Sequence, residues 1–346
     1  MSKYAQELRN TAKAMMAEGK GILAMDESNG TCNKRFKNLD IEPVEENRRA
    51  YRELLITAPD LGNYISGAIL YDETIRQSTK DGVSFVKAMQ DAGIIPGIKV
   101  DTGAKDLAAR PNEKVTEGLD GLRDRIAEYY EMGARFAKWR SVITIGDGIP
   151  SDGCIEANAH GLARYAVLCQ EGGLVPIVEP EVLINGDHTI ETCYEVTEKT
   201  LHEVFRQLYV QNAAYDQMIL KPSMVISGAD CSQQASVEEV ASETVRCLMN
   251  CVPASVPGIA FLSGGQSEQR ASAHLNEMNA KYRSQFPWRV TFSYARAIQQ
   301  PALNYWKGEQ SNVEEAQKRL VERAKLNSEA SKGNYSQSME KEPALV

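Results

Sequence analysis

An α/β fold, a single closed (β/α)8 TIM barrel with extra helices at its N- and C-terminal ends, is what the sequence predicts. Three observations lead there. Eight short apolar runs, each ending in Gly, Pro or a polar residue, recur roughly every 30 to 45 residues. Helical patterns fill the intervals, an alternation that yields parallel strands with crossover helices. The first run is followed by "MDESNGTCNKR", with neither G-x-G-x-x-G nor G-x-x-x-x-G-K-[ST], which disfavours a doubly wound open sheet.

Taken in order, the strand runs are "GILAMD" from 21, "GAILYD" from 67, "IIPGIKVD" from 94 and "ARFAKWR" from 134. They continue with "LVPIVEPE" from 174, "QMILKPS" from 217, "GIAFLS" from 258 and "RVTFSY" from 289. Between them, "SVEEVASETVRCLMNCV" sets Val237, Val240, Ala241, Val245, Leu248 and Val252 on one helical face, and Ser236 with Glu239 reads as a capping box. In "EVTEKTLHEVFRQLYVQN", Leu201, Val204, Phe205 and Leu208 have the same spacing. Tyr4, Leu8 and Ala12 give a first helix its apolar stripe. Ser311 with Glu314 is expected to cap a last helix carrying Val313, Ala316, Leu320 and Ala324. These patterns place one barrel domain over residues 1–335 and a polar tail over 336–346, with mobility expected after Gly333.

Composition narrows the function. The 346 residues are 25% charged and 42% hydrophobic, as in an ordinary globular chain. A net charge of -8 and a pI near 5.3 argue against nucleic-acid or anionic-membrane partners, which require a basic footprint. The start, "MSKYAQELRNTAKAMMAEGKG", lacks the apolar core of a secretory signal, and no run reaches the roughly 18 apolar residues of a membrane span. Seven cysteines without a Cys-x-x-Cys pair fit a reducing compartment such as the cytoplasm. Cys247 and Cys251, four apart and lacking nearby histidines, read as buried thiols rather than zinc ligands.

Barrels of this type carry their sites at the C-terminal ends of the strands. Asp26, Lys99 with Asp101, Lys138 with Arg140, Glu179 with Glu181, Lys221, Ser263, and Tyr294 with Arg296 fall there. Because strand side chains alternate, Lys138 shares a face with Arg140, and Glu179 with Glu181. Two readings stay open: mutual neutralisation as an ion-pair network, or an excess of cations that draws in an anionic substrate. Ser263, Gly264 and Gly265 run toward a helix start, where free N–H groups favour an anion, and Arg296 would join them. Ser28 and Thr31 with Lys99 form a second candidate anion site. The four histidines show no H-x-x-x-H or H-E-x-x-H spacing, and no G-x-S-x-G elbow occurs. No cofactor is called for. In "MILKPSMV", a lysine buried beside other cations would have its ammonium form disfavoured and so expose an amine. Such an amine attacks ketones to form a Schiff base, and neighbouring carboxylates move the protons.

Together, "GILAMDES", "GIKVDTG", "FAKWRSV", "VPIVEPE", "ILKPSMV", "FLSGGQSE" and "FSYARA" resemble, in order and spacing, the class I fructose-1,6-bisphosphate aldolases, from about residue 4 to residue 335. "GILAMDESN" with "FSYARA" is nearer the plastid and related microbial branch than the animal one. The resemblance implies metal-independent, reversible cleavage of fructose 1,6-bisphosphate to dihydroxyacetone phosphate and glyceraldehyde 3-phosphate by a homotetramer. It makes Lys221 the Schiff-base lysine, Asp26 the carboxylate of C–C cleavage, Glu179 the acid/base for the carbinolamine, and Lys138 the lysine that polarises the cluster. Glu181 matches a supporting carboxylate. Ser263, Gly264, Gly265 and Arg296 match the binders of one phosphate. Ser28, Thr31 and Lys99 match those of the other, with Arg35 and Arg140 nearby. Alternatives are the same lysine chemistry on sedoheptulose 1,7-bisphosphate, or a non-catalytic barrel used as a scaffold. Two departures stand out: the sequence ends "EPALV", without the terminal tyrosine many members carry, and Ala295 replaces the glycine of animal members.

Overall fold

In the computed structural model, which describes residues 3–340, eight parallel strands follow one another in chain order around a single sheet. They are β1 (Gly21–Ala24), β2 (Ile65–Leu70), β3 (Ile95–Lys99), β4 (Phe136–Ile143), β5 (Val175–Val182), β6 (Ile219–Leu220), β7 (Gly258–Phe261) and β8 (Arg289–Phe292). Each pairs in parallel with the next. The last returns to the first, for the Ala24 N–H donates to the Tyr294 carbonyl at 3.0 Å. All eight expected strands are present. An additional antiparallel hairpin, Gly103–Asp106 with Lys114–Glu117, follows β3. Its first strand is mostly exposed, so it carries no apolar run by which sequence could reveal it.

Alternation along the strands sorts side chains into two cores. Outward residues of β4 such as Ala137, Trp139 and Ile143 pack with the surrounding helices. Inward residues Ile22, Ala24, Ile69, Phe136, Val175, Ile177, Ile219 and Ala260 fill the barrel. Leu8, Ala12 and Met15 of the first helix, Ala5–Met15, pack into the same cluster with Met16. Glycine makes room there: a Cβ on Gly97 would lie 2.2 Å from the Phe136 ring. The apolar filling includes Phe136 on β4, Ile177 on β5 and Ile219 on β6. Two residues further along these strands, on the same face, come Lys138, Glu179 and Lys221. The charged layer therefore sits directly on an oily floor.

The helix Val237–Cys251 has both halves of the capping box between Ser236 and Glu239, and Ile190–Val210 buries Leu201, Val204, Phe205 and Leu208. The last helix, Val313–Lys332, differs from expectation. Ser311 lies in the 3-10 turn Gln310–Asn312, so the helix starts one residue too late for Ser311 to cap it, and Asn312 precedes it without a side-chain cap. The tail expected to be mobile after Gly333 is anchored as far as Glu340. The Tyr335 N–H donates to Asn276 Oδ1 at 2.8 Å, its hydroxyl donates to Glu340 Oε1 at 2.8 Å, and Arg323 Nη1 donates to the same carboxylate at 2.6 Å. A buried guanidinium needs a counter-charge, and Glu340 provides it. Residues 341–346 of the expected tail lie outside the described residues.

Candidate active site

Lys221 follows β6 immediately, and its N–H donates to the Val178 carbonyl at 2.8 Å, prolonging the pairing with β5. That register brings its ammonium 3.1 Å from Glu179 Oε1. On the other side, Lys138 Nζ lies 2.7 Å from Asp26 Oδ2 and 3.4 Å from Glu179 Oε2. All four side chains are buried, with residue exposures of 3% to 9%. Two ammonium and two carboxylate groups sum to zero charge, which is what permits them to share so dry a place. Burial alone would raise Asp26, but Lys138, Lys221 and Lys99 outweigh it and hold its carboxyl at about 2. Burial would likewise discharge Lys138, yet Asp26, Glu179 and Asp101 keep its ammonium well above the usual lysine range. Lys138 is therefore a standing cation.

The cluster forms the base of a cavity of about 900 Å³. Ser28, Thr31 and Lys99 line it, as do Ser263, Gly264, Gly265 and Arg296, together with Arg140 and Glu181. Ser28 also caps the helix Asn29–Lys37, accepting from the Thr31 N–H at 3.4 Å. Gly264 and Gly265 have φ of 56° and 91°, the left-handed region that favours glycine, and a Cβ on Gly265 would lie 3.8 Å from Arg296 Nη2. Ala295, at φ −104°, accommodates a methyl group without strain. The expected excess of positive charge does not survive. Lys99 pairs with Asp101 at 2.7 Å, Arg140 pairs with Glu181, and both lysines below are paired too. Arg296 has no carboxylate partner among the described residues.

Two expectations are corrected. Arg35 does not line the cavity; it pairs with Glu27 and donates to Gln299 Oε1 at 3.1 Å and Gln300 Oε1 at 3.2 Å. Glu27 is nearly enclosed, and Arg35 and Arg52 are the counter-charges that its burial demands. Tyr294 points into the helix-facing core, where its hydroxyl donates to the Ala271 carbonyl at 2.9 Å. Sequence reasoning also missed Gln299. It donates to the Ala24 carbonyl and accepts from Tyr51 Oη at 2.8 Å, tying the helix Arg296–Trp306 to the strand end that carries Asp26. No local signal marks such a residue, since its partners are remote in sequence.

Behind the Ser263–Gly265 loop, fully buried His274 donates through Nδ1 to Gln266 Oε1 at 2.6 Å, while Nε2 has no partner. Burial, helped by Arg270, pushes the imidazole down to about 4 from 6.5. Because the unfolded chain takes up this proton first, stability falls as pH drops from 6.5 to 4, by about 3 kcal/mol for this group. Urea unfolding at pH 7 and pH 4.5 should show a loss about 2 kcal/mol smaller in His274→Leu than in the native chain. Equal losses would contradict the assignment.

The arrangement offers an amine nucleophile, a carboxylate touching it and a second carboxylate held ionised by a fixed ammonium, beneath two candidate anion sites. Comparison with known proteins places the chain in a family. The model of a family described as fructose-bisphosphate aldolase class-I matches residues 7–345. A probable fructose-bisphosphate aldolase class 1 of Xanthomonas campestris is 62% identical over 331 residues, covering 95% of this chain and 98% of the relative. The chloroplastic fructose-bisphosphate aldolase 3 of Arabidopsis thaliana is 52% identical over 341 residues, covering 99% and 86%. The fructose-bisphosphate aldolase of Plasmodium falciparum, solved in complex with TRAP and a small-molecule inhibitor, superposes with a TM-score of 0.95 at 47% identity, covering 97% of both chains. This chain belongs to the class I fructose-bisphosphate aldolase family.

Proposed function

We propose that Lys221 is the nucleophile with which this lyase cleaves fructose 1,6-bisphosphate reversibly to dihydroxyacetone phosphate and glyceraldehyde 3-phosphate. The observation that carries the assignment is the buried contact of Lys221 with Glu179 at 3.1 Å. Glu179 takes a proton from the Lys221 ammonium, and the free amine attacks C2 of the open-chain sugar. The C2–O bond pair moves onto oxygen, which Glu179 protonates. Glu179 then takes a proton from the carbinolamine nitrogen and passes it to that oxygen, which leaves as water as the freed nitrogen lone pair closes the iminium. Asp26 then accepts the C4 hydroxyl proton as the C3–C4 pair flows into the iminium, releasing the aldehyde and leaving an enamine. Protonation at C3 and hydrolysis return the ketose phosphate and Lys221. Lys138 keeps Asp26 ionised for its step, as its 2.7 Å contact supports.

In this reading Ser263, Gly264, Gly265 and Arg296 bind one phosphate, and Ser28, Thr31 and Lys99 bind the other. Glu181 holds Arg140 at the rim, and Arg35 acts from behind by fixing Glu27. The aldolase domain is residues 1–335, and it assembles as a homotetramer in a reducing compartment, the cytoplasm or a plastid stroma. The seven unpaired cysteines support the last point. No described helix is long and apolar enough to cross a membrane. The test is chemical trapping. Borohydride added with dihydroxyacetone phosphate should reduce the iminium to a stable secondary amine, and peptide mapping should place it on Lys221. An adduct on another lysine, or none, refutes the assignment.

A further inference from the structure

The helices Ile190–Val210 and Val237–Cys251 pack against each other, and neither contributes a residue to the cavity at the barrel mouth. Glu198 and His202 stand four residues apart on the first, and Cys247 and Cys251 four apart on the second, so each pair shares a helical face. In sequence the two thiols have no histidine near them; the fold delivers one. Ligand atoms of Glu198, His202 and Cys251 all lie within 4.8 Å of one another. The Cys251 thiol donates to the Glu198 carbonyl at 3.8 Å, which holds the two helices together at this point. The Glu198 carboxylate is already oriented, for its Oε1 accepts from Tyr194 Oη at 2.8 Å and Asn250 Nδ2 at 3.1 Å. Outer hydrogen bonds of this kind fix ligands at metal centres.

We propose that Glu198, His202 and Cys251 bind a zinc ion between these two helices, with a water in the fourth position. Charge favours it: one carboxylate, one thiolate and a neutral imidazole cancel the two charges of the ion, which suits a half-buried place. Ligand softness favours it as well, since a thiolate with an imidazole selects zinc over magnesium or calcium. Tetrahedral zinc holds its ligand atoms about 3.5 Å apart, so the group must contract by about 1 Å. His202 is exposed and turns without disturbing the core, and that open side also admits the ion. Binding displaces the Cys251 thiol proton to solvent, and the sulfur lone pair bonds the metal. Affinity therefore falls as pH falls.

Calorimetric titration of the metal-free full chain with Zn²⁺ is expected to show one saturable site per chain, with no corresponding heat from Mg²⁺. Co²⁺ in its place should give a thiolate-to-cobalt charge-transfer band in the near ultraviolet. His202→Ala, at an exposed position that leaves the fold intact, should weaken Zn²⁺ at least about tenfold. Cys251→Ser should abolish the charge-transfer band; should that buried substitution fail to fold, the His202→Ala titration decides. Absence of saturable Zn²⁺ binding, or an unchanged affinity in His202→Ala, overturns the site.

Discussion

Lys221→Met is expected to lower kcat/KM for fructose 1,6-bisphosphate by at least about 10⁴-fold, roughly 5.5 kcal/mol of transition-state stabilisation. Methionine matches the length of the alkyl stem, and Glu179 keeps Lys138 at 3.4 Å as a counter-charge, so the fold is expected to hold. The residues proposed for the two phosphates are untouched. Binding of the bisphosphate, read by calorimetry, should therefore weaken by less than about tenfold while turnover vanishes. That split separates a nucleophile from a lysine that merely neutralises Glu179. Substantial turnover in this variant, measured by a coupled assay of triose phosphate release, would remove Lys221 from the chemistry.

Lys138→Met should damage stability and activity together. It leaves Asp26 without its 2.7 Å partner and Glu179 with Lys221 alone. Breaking a buried pair from one side costs about 3 to 5 kcal/mol. The pH dependence gives a second readout. In the native chain Asp26 is depressed from 3.8 to about 2, so its contribution, about 2 kcal/mol, is fully present above about pH 4 and is lost as pH falls through 2. Without Lys138, burial dominates, the carboxyl rises above its unfolded value, and the sign reverses: the variant gains stability as acid protonates Asp26. Urea unfolding of both proteins between pH 4 and pH 8 tests this. Parallel pH profiles would show that Lys138 does not govern Asp26. A protonated Asp26 also cannot take the C4 proton, so turnover should fall by about 10² to 10⁴.

Much of the site was legible because its residues sit at strand ends. A parallel strand buried on both faces leaves an unbroken apolar run, and a charge interrupting that run, as Lys221 interrupts "MILKPSMV", is conspicuous in a single line of text. Asp26, Lys138 and Glu179, which the fold gathers around Lys221, stand at strand ends likewise, and Ser263 ends the seventh run on the cavity wall. Arg35 was misplaced because nothing local says that Glu27 turns inward and claims it. The expected surplus of positive charge failed for a related reason. Sequence counts cations, whereas the barrel pairs Lys99 with Asp101 within one strand end and Arg140 with Glu181 across two strands.

By itself the sequence determined the eight strands, the helices with their capping box, and the lysine in the buried run, since each of these depends on neighbours a few residues away. Only the tertiary structure decided which charges meet: Lys138 between Asp26 and Glu179, Gln299 against the end of β1, Glu340 on Arg323, and His202 beside Cys251. Those contacts join residues 17 to 275 positions apart. Their geometry comes from strand register around a closed barrel and from the packing of helices upon it, neither of which a local pattern encodes.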